Sequence, residues 1–210
     1  MKKLLVSLLL ILPSFFTLAF DRSEIANKSA EVTPLLNGQT LPDITVKNLQ
    51  NDTLQLKQLI SKKPTIMVFY RGGWCPYCNA QLAGLKEIES KLTDLGYQIL
   101  AISPDSPERL KAQQTKQQFN LTLLSDSSLD AIRKMGIAFL LDEKTSEYYR
   151  DKVGVEFMDI EGTSRVALPV PAVYIVDQQG LVQFNYVNPN FRVRLPAQLL
   201  YDAAKVLAVH

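Results

Sequence analysis

Cysteine and histidine are nearly absent from this 210-residue chain, which holds 2 cysteines, 1 tryptophan and 1 histidine. The histidine is His210, the last residue. A zinc site needs several Cys, His or carboxylate ligands, and a Cys–His catalytic pair needs an imidazole beside the thiol. With two cysteines and a single terminal histidine neither is favoured, so no metal and no cofactor is expected. Internal repeats and low-complexity stretches are also missing, which sets aside solenoid and disordered classes. Charge of one sign is missing too, with 23 basic residues against 21 acidic ones. Such a balance argues against nucleic acid or an anionic membrane surface as the partner.

The one long apolar run lies at the start. Met1-Lys2-Lys3 gives a basic n-region, Leu4 to Pro13 an apolar stretch, and Thr17-Leu18-Ala19 a small residue for cleavage. The run from Leu4 to Phe20 contains Pro13 and falls short of the ~20 residues a spanning helix needs. Residues 1–19 are therefore expected to be a signal peptide, and membrane contact is expected only through that segment if it stays uncleaved. Loss of Lys2 and Lys3 brings the basic count to 21, equal to the 21 acids. The expected location is exported, in the periplasm or cell envelope. Residues 20–36 are polar and aperiodic and read as a tether, leaving 37–209 as one domain of ordinary size.

What is present is a concentrated motif. Both cysteines sit in Arg71-Gly72-Gly73-Trp74-Cys75-Pro76-Tyr77-Cys78. Before it, Thr65 to Tyr70 is a β-branched and aromatic run that predicts a buried strand. After it, Leu82, Leu85, Ile88, Leu92 and Leu95 recur at helical spacing, and Gly96 stands where a helix ends. Cys75 is thus placed at a strand-to-helix junction, with Pro76 at the first helical position, where its missing N–H costs nothing. Unpaired amides and the positive helix end stabilise a thiolate there, so Cys75 is expected to be acidic and nucleophilic. Cys78, one turn on, is placed to attack a mixed disulfide on Cys75. A structural staple is disfavoured, because so short a loop restrains little of the unfolded chain.

Along the rest of the chain, strands alternate with helices. Leu41 to Val46 and Asn51 to Leu56 suggest two short strands around an Asn-Asp turn. Tyr97 to Ser103 reads as a buried strand, and Ser106-Pro107 opens a polar helix to about Gln118. Leu121 to Leu124 is a further strand, followed by a brief helix capped by Ser127 or Ser128 and stopped at Gly136. Asp142 to Lys152 suggests a helix, and Gly154 to Gly162 a loop or hairpin. Ala172 to Asp177 and Leu181 to Val187 form a strand pair, with Tyr174, Val176, Val182 and Phe184 as core candidates. Leu195-Pro196 opens a last amphipathic helix to about Val209. The pattern predicts an α/β fold with a parallel-rich sheet.

Pro171 directly precedes the strongest late strand. It reads either as a strand-start proline or as the proline of a cis Val170–Pro171 bond facing the cysteines. The second reading is favoured by the order of elements. A proline beside a dithiol offers no N–H and leaves its preceding carbonyl for an incoming peptide.

Trp74-Cys75-Pro76-Tyr77-Cys78 on a strand-to-helix turn, with Val170-Pro171 before a strand and Asp177-Gln178-Gln179-Gly180 at a hairpin, resembles the thioredoxin superfamily. Gly38-x-x-Leu41-Pro42-Asp43 and Ile102-Ser103-Pro104-Asp105 resemble its AhpC/TSA redoxin branch, which contains the peroxiredoxins. The Arg-Gly-Gly-Trp-Cys-Pro-Tyr-Cys form is similar to a bacterial peroxiredoxin-like subgroup. The resemblance implies a thioredoxin-like fold, a central mixed sheet flanked by helices, with an N-terminal β-hairpin of redoxin type. It implies Cys75 as the attacking and Cys78 as the resolving cysteine, with Trp74, Pro76, Tyr77, Val170, Pro171 and Arg71 around the substrate.

Two departures stand out. Gly72 occupies the place where peroxiredoxins typically carry Thr or Ser, and Pro171 the place of their late-strand Arg. Arg71, Arg165 and Arg192 are the candidate replacements, since a guanidinium lowers a thiol pKa and holds a peroxide oxygen. Phe69 stands where thioredoxins carry a buried acid.

Three functions fit these residues. The first expectation is an exported thiol–disulfide oxidoreductase acting on a protein disulfide through the Cys75/Cys78 pair. The alternative is a thiol-dependent peroxidase, with a hydroperoxide oxidising Cys75 and Cys78 condensing with the sulfenic acid. Both enzymes need a thiol reductant partner. The third is a redoxin-fold sensor or binding module, against which the intact pair argues.

Overall fold

The computed structural model describes residues 21–117, 121–154 and 156–208; the expected signal peptide lies outside the described residues. The strands are β1 (Thr45–Lys47), β2 (Thr53–Gln55), β3 (Thr65–Phe69), β4 (Gln98–Ser103), β5 (Thr122–Ser125), β6 (Ala138–Leu140), β7 (Ala167–Pro169), β8 (Ala172–Val176) and β9 (Val182–Val187). The helices are α1 (Leu56–Ile60), α2 (Pro76–Asp94), α3 (Pro107–Gln117), α4 (Asp130–Lys134), α5 (Glu143–Lys152) and α6 (Ala197–Leu207).

Seven strands form one sheet in the order β2-β1-β5-β4-β3-β8-β9. β3, β4 and β5 run parallel, while β8 and β9 add antiparallel neighbours at one side and β1–β2 a hairpin at the other. This is the mixed sheet with an entry hairpin that the resemblance implied; the parallel-rich sheet read from the alternation of elements is corrected, because the two parallel pairings are outnumbered by antiparallel ones. The central strands are buried on both faces, as a sheet covered by helices requires. Alternation along β3 then sorts the core into two layers. Met67 and Phe69 join Tyr174, Val176 and Ile132 on one side. Ile66, Val68 and Tyr70 join both cysteines, Leu82, Leu85 and Leu200 on the other.

α2 is the element that the site depends on. Leu82, Leu85, Ile88 and Leu92 are buried along one stripe. Its end is a Schellman motif: Gly96 N–H donates to the Thr93 carbonyl and Tyr97 N–H to that of Leu92. Gly96 takes φ +91°, which a side chain would resist. Ser106 accepts from Arg109 N–H at 3.5 Å at the start of α3, the expected cap.

Three further expectations are corrected, and one element is new. Residues 21–36 do not lead away as a tether. Ala26 N–H donates to Ala138, Leu140 N–H to Ala26 and Thr33 N–H to Gly136, so this backbone covers the edge of β6. Leu35 is buried, and Arg22 donates to the Thr33 carbonyl. Backbone pairing of this kind leaves no periodicity in side chains. The cap of α4 is neither Ser127 nor Ser128, because the buried Asp126 carboxylate accepts from Ala131 and Ile132 N–H at 2.8 and 2.9 Å. β6 and β7 make a small separate antiparallel sheet that their short runs did not announce. Finally, Val170–Pro171 is trans: no cis bond occurs among the described residues. Pro171 precedes β8 as a strand-start proline, and its carbonyl accepts from Asn188 N–H.

Candidate active site

β3 ends at Phe69, and residues 70–75 carry the chain from the sheet edge into α2. Cys75 is the N-cap residue, in extended conformation, and Pro76 follows as the first helical residue. The Cys75 carbonyl accepts from both Cys78 and Asn79 N–H at 3.1 Å. Cys78 therefore lies one turn into the helix with its thiol against the Cys75 sulfur. Both cysteines are free thiols and buried, Cys75 at 2% exposure and Cys78 at 0%.

The loop before them is held from three sides. Gly73 N–H donates to the Asp105 carboxylate at 2.7 Å, and Asn79 Nδ2 donates to the Gly73 carbonyl at 2.8 Å. Gln113 Nε2 donates to Asn79 Oδ1, and Gln113 Oε1 accepts from the Tyr70 hydroxyl. Gly72 adopts φ +146°, and a Cβ there would collide with the Trp74 indole and stand 2.9 Å from Asp105 Oδ1. The Thr or Ser of the usual peroxiredoxin pattern cannot be accommodated in this loop conformation. The departure in sequence is a departure in backbone.

Arg71 is only 2% exposed. Its Nη2 donates to the Tyr149 hydroxyl at 2.8 Å, and its guanidinium stands over the rings of Phe191, Trp74 and Tyr149 at 4.4, 5.3 and 5.4 Å. Such an aromatic enclosure holds a cation out of water. Trp74 in turn meets Tyr149 and Phe157 edge-on, and Tyr77 meets Phe191. The backbone N–H of Arg71 donates to Cys78 Sγ at 3.4 Å. A second guanidinium arrives from the segment between β9 and α6: Arg194 Nη2 lies 3.4 Å from Cys78 Sγ.

The electrostatic outcome is asymmetric. The Cys75 thiol is pulled down to about 6, chiefly because the Cys78 thiol donates to its sulfur; the Cys78 N–H and the charges of Arg71 and Arg194 add to this against the cost of burial. The Cys78 thiol is pushed well above its ordinary value by burial and by that same donation. These surroundings favour the thiolate at Cys75 and the thiol at Cys78.

Trp74, Pro76, Tyr77 and Arg71 thus lie around the two cysteines. Val170 and Pro171 reach the same end of the sheet through the antiparallel register of β8 on β3, in which Ala172 faces Phe69. Val170 itself packs into the opposite core layer. Of the other arginines, Arg165 instead clasps the carbonyls of Leu141, Leu140 and Asn27. Arg192 is exposed, over the Phe191 ring. Sequence reasoning missed Arg194, Tyr149, Phe191 and Asp105.

Two clefts flank the pair. One, of about 290 Å³, runs between α2 and α6 past Tyr77, Gln81, Leu85, Arg194 and Leu195. The other, of about 270 Å³, lies over Gly73, Trp74, Asp105 and Gln113.

Fold and site together define an oxidoreductase with a thioredoxin-like fold and a cysteine-based centre. The chain belongs to the AhpC/TSA family, whose model matches residues 37–185. It is 34% identical over 106 residues to a peroxiredoxin designated bcp from Haemophilus influenzae, covering 50% of this chain and 68% of that one. A chloroplastic peroxiredoxin Q of Populus jackii is 28% identical over 151 residues, covering 72% and 60%. Among solved structures, reduced Prx3 of Vibrio vulnificus in complex with hydrogen peroxide superposes with TM-score 0.65 at 18% identity, over 81% of this chain and 99% of that one. Peroxiredoxin Q of Xanthomonas campestris gives 0.63 at 17%, over 82% and 98%. At such identities the structural likeness speaks for the fold.

Proposed function

We propose that this protein is a thiol-dependent peroxidase of the Bcp/Q kind, with Cys75 peroxidatic and Cys78 resolving. The observation that carries the reading is an acidic thiol that is almost closed to solvent. A cysteine residue with 2% exposure is poorly placed to meet the disulfide of a folded protein, whereas a hydroperoxide is small enough to reach it. Disulfide exchange, the first expectation from the sequence, therefore gives way to its alternative, in keeping with the peroxiredoxin names of the relatives.

In this reading the Cys75 thiolate attacks the terminal peroxide oxygen. The S–O bond forms, the O–O bond breaks, and the leaving alkoxide takes a proton from water to become the alcohol. Arg71, caged beside the thiolate, supplies the positive charge that the family's late-strand Arg would otherwise bring. Cys78 then condenses with the Cys75 sulfenic acid to a disulfide and water. A thiol reductant resets the pair by exchange, with Tyr77 and the α2–α6 cleft as its approach. The N-terminal segment supports export to the periplasm or cell envelope.

Reduced protein should consume hydrogen peroxide in the presence of a dithiol, and Cys75→Ser should abolish turnover. Efficient reduction of insulin disulfides by the parent, without peroxide consumption, would restore the exchange reading.

A further inference from the structure

Condensation requires Cys78 as a thiolate, yet Cys78 is the thiol whose surroundings keep it protonated. It is fully buried, and in the reduced pair its hydrogen is directed at Cys75. Two N–H donors nevertheless converge on its sulfur, the backbone N–H of Arg71 and Nη2 of Arg194, each at 3.4 Å. Arg194 is fixed there, since its Nη1 donates to Gln81 Oε1 at 3.2 Å on the helix that carries Cys78. Its Nε is buried with no hydrogen-bond partner among the described residues. A solvated surface arginine would leave no buried N–H unmatched.

We propose that Arg194 is a catalytic residue of the resolving step, its guanidinium stabilising the Cys78 thiolate once Cys75 has been oxidised. The proposal rests on the peroxidase reading for the step that precedes it. The charged and titratable groups around Cys78 are Cys75, Arg71, Arg194 and Tyr70. Burial holds the Tyr70 phenol firmly protonated, which removes it from the exchange. While Cys75 is a thiolate, it draws on both guanidiniums and on the Cys78 hydrogen. Oxidation converts it to a neutral sulfenic acid. The competing negative charge disappears, and Arg194 then faces Cys78 alone.

The step balances without a further reactant. Cys78 yields its proton to solvent, and its electron pair forms the S–S bond at Cys75 Sγ. The S–O bond breaks, hydroxide leaves with that bond's pair, and it takes up a proton as water. A charge-assisted hydrogen bond to the attacking sulfur is the contribution that a buried thiol otherwise lacks.

Two measurements test this. In Cys75→Ser protein Cys78 is the only thiol, so its ionisation can be followed by thiolate ultraviolet absorbance. Adding Arg194→Gln should lower the thiolate present at a fixed pH about tenfold, and Arg194→Lys should recover part of it. In protein with both cysteines, stopped-flow mixing with hydrogen peroxide can use Trp74, the sole tryptophan, as the reporter. Arg194→Gln should slow the second, disulfide-forming phase about tenfold more than the first. Equal thiolate in the presence and absence of Arg194, or an unslowed second phase, overturns the proposal. A parent without a rapid first phase overturns the peroxidase reading instead, and the Cys75→Ser titration still decides what Arg194 does to Cys78.

Discussion

The starts of α2 and α4 invite comparison, because each places a buried acid against helix amides and the two acids are shifted in opposite directions. Asp126 accepts two backbone N–H groups at the start of α4, is fully buried, and has its carboxyl pushed up to about 7 by that burial, with Asp130 adding repulsion. Cys75 at the start of α2 is pulled down to about 6. Helix amides are present in both places, so they do not decide the outcome. The difference lies in the company. Cys75 has a thiol donor and two guanidiniums beside it, whereas no cation is among the groups that shift Asp126. A helix start lowers a pKa usefully only where the neighbouring charge offsets the desolvation. One site is built as a structural cap, the other as the candidate reactive centre.

Disturbing the loop at Cys75 is expected to have the largest effect. Gly72→Thr forces a side chain onto the Trp74 indole at a φ that disfavours it, which should cost about 3 kcal/mol or more in denaturant unfolding. Peroxide activity should fall with it, even though the substitution restores the usual family residue. A stable and more active variant would show that the loop accommodates Thr after all.

Removing the acid at α4 should give the next largest effect, and its sign follows from linkage. The folded protein holds the Asp126 proton up to about pH 7, while the unfolded chain releases it near the ordinary aspartate value of about 4. Between those values the folded state binds more protons, so this group's contribution to stability falls as pH rises. Asp126→Asn should therefore gain on the parent across pH 4 to 7, by roughly 5 °C in thermal midpoint. A difference that does not change with pH would contradict the shift.

The smallest change converts the α2 site toward the α4 condition. Arg71→Met keeps the bulk inside the aromatic cage and removes one guanidinium. The Cys75 titration midpoint should rise toward the ordinary cysteine value, with roughly a tenfold loss of peroxide reactivity near neutral pH. Thiolate absorbance and stopped-flow rates read the two effects separately.

Much of this architecture was legible in the chain because local chemistry and global fold agree there. The apolar runs of β3, β4 and β8, the stripe on α2 and Gly96 at its end are each required by the element they form. Cys75 and Pro76 at the helix start follow from their own backbone preferences. What could not be read were contacts made by backbone or across long separations. The docking of residues 21–36 uses main-chain groups, and the β6–β7 pair joins three-residue strands that carry no period. Arg194 lies 116 residues from Cys78 in sequence and meets it only through the segment before α6. Order of elements alone favoured a cis Val170–Pro171 bond, and the bond is trans.

The most direct test is the pH dependence of the bimolecular rate at which hydrogen peroxide oxidises Cys75 in the reduced protein. The expected rate lies far above that of free cysteine, rising with pH through a midpoint near 6 and level above it. A rate equal to that of the free thiol, or one still climbing at the ordinary cysteine pKa of about 8.5, would contradict it.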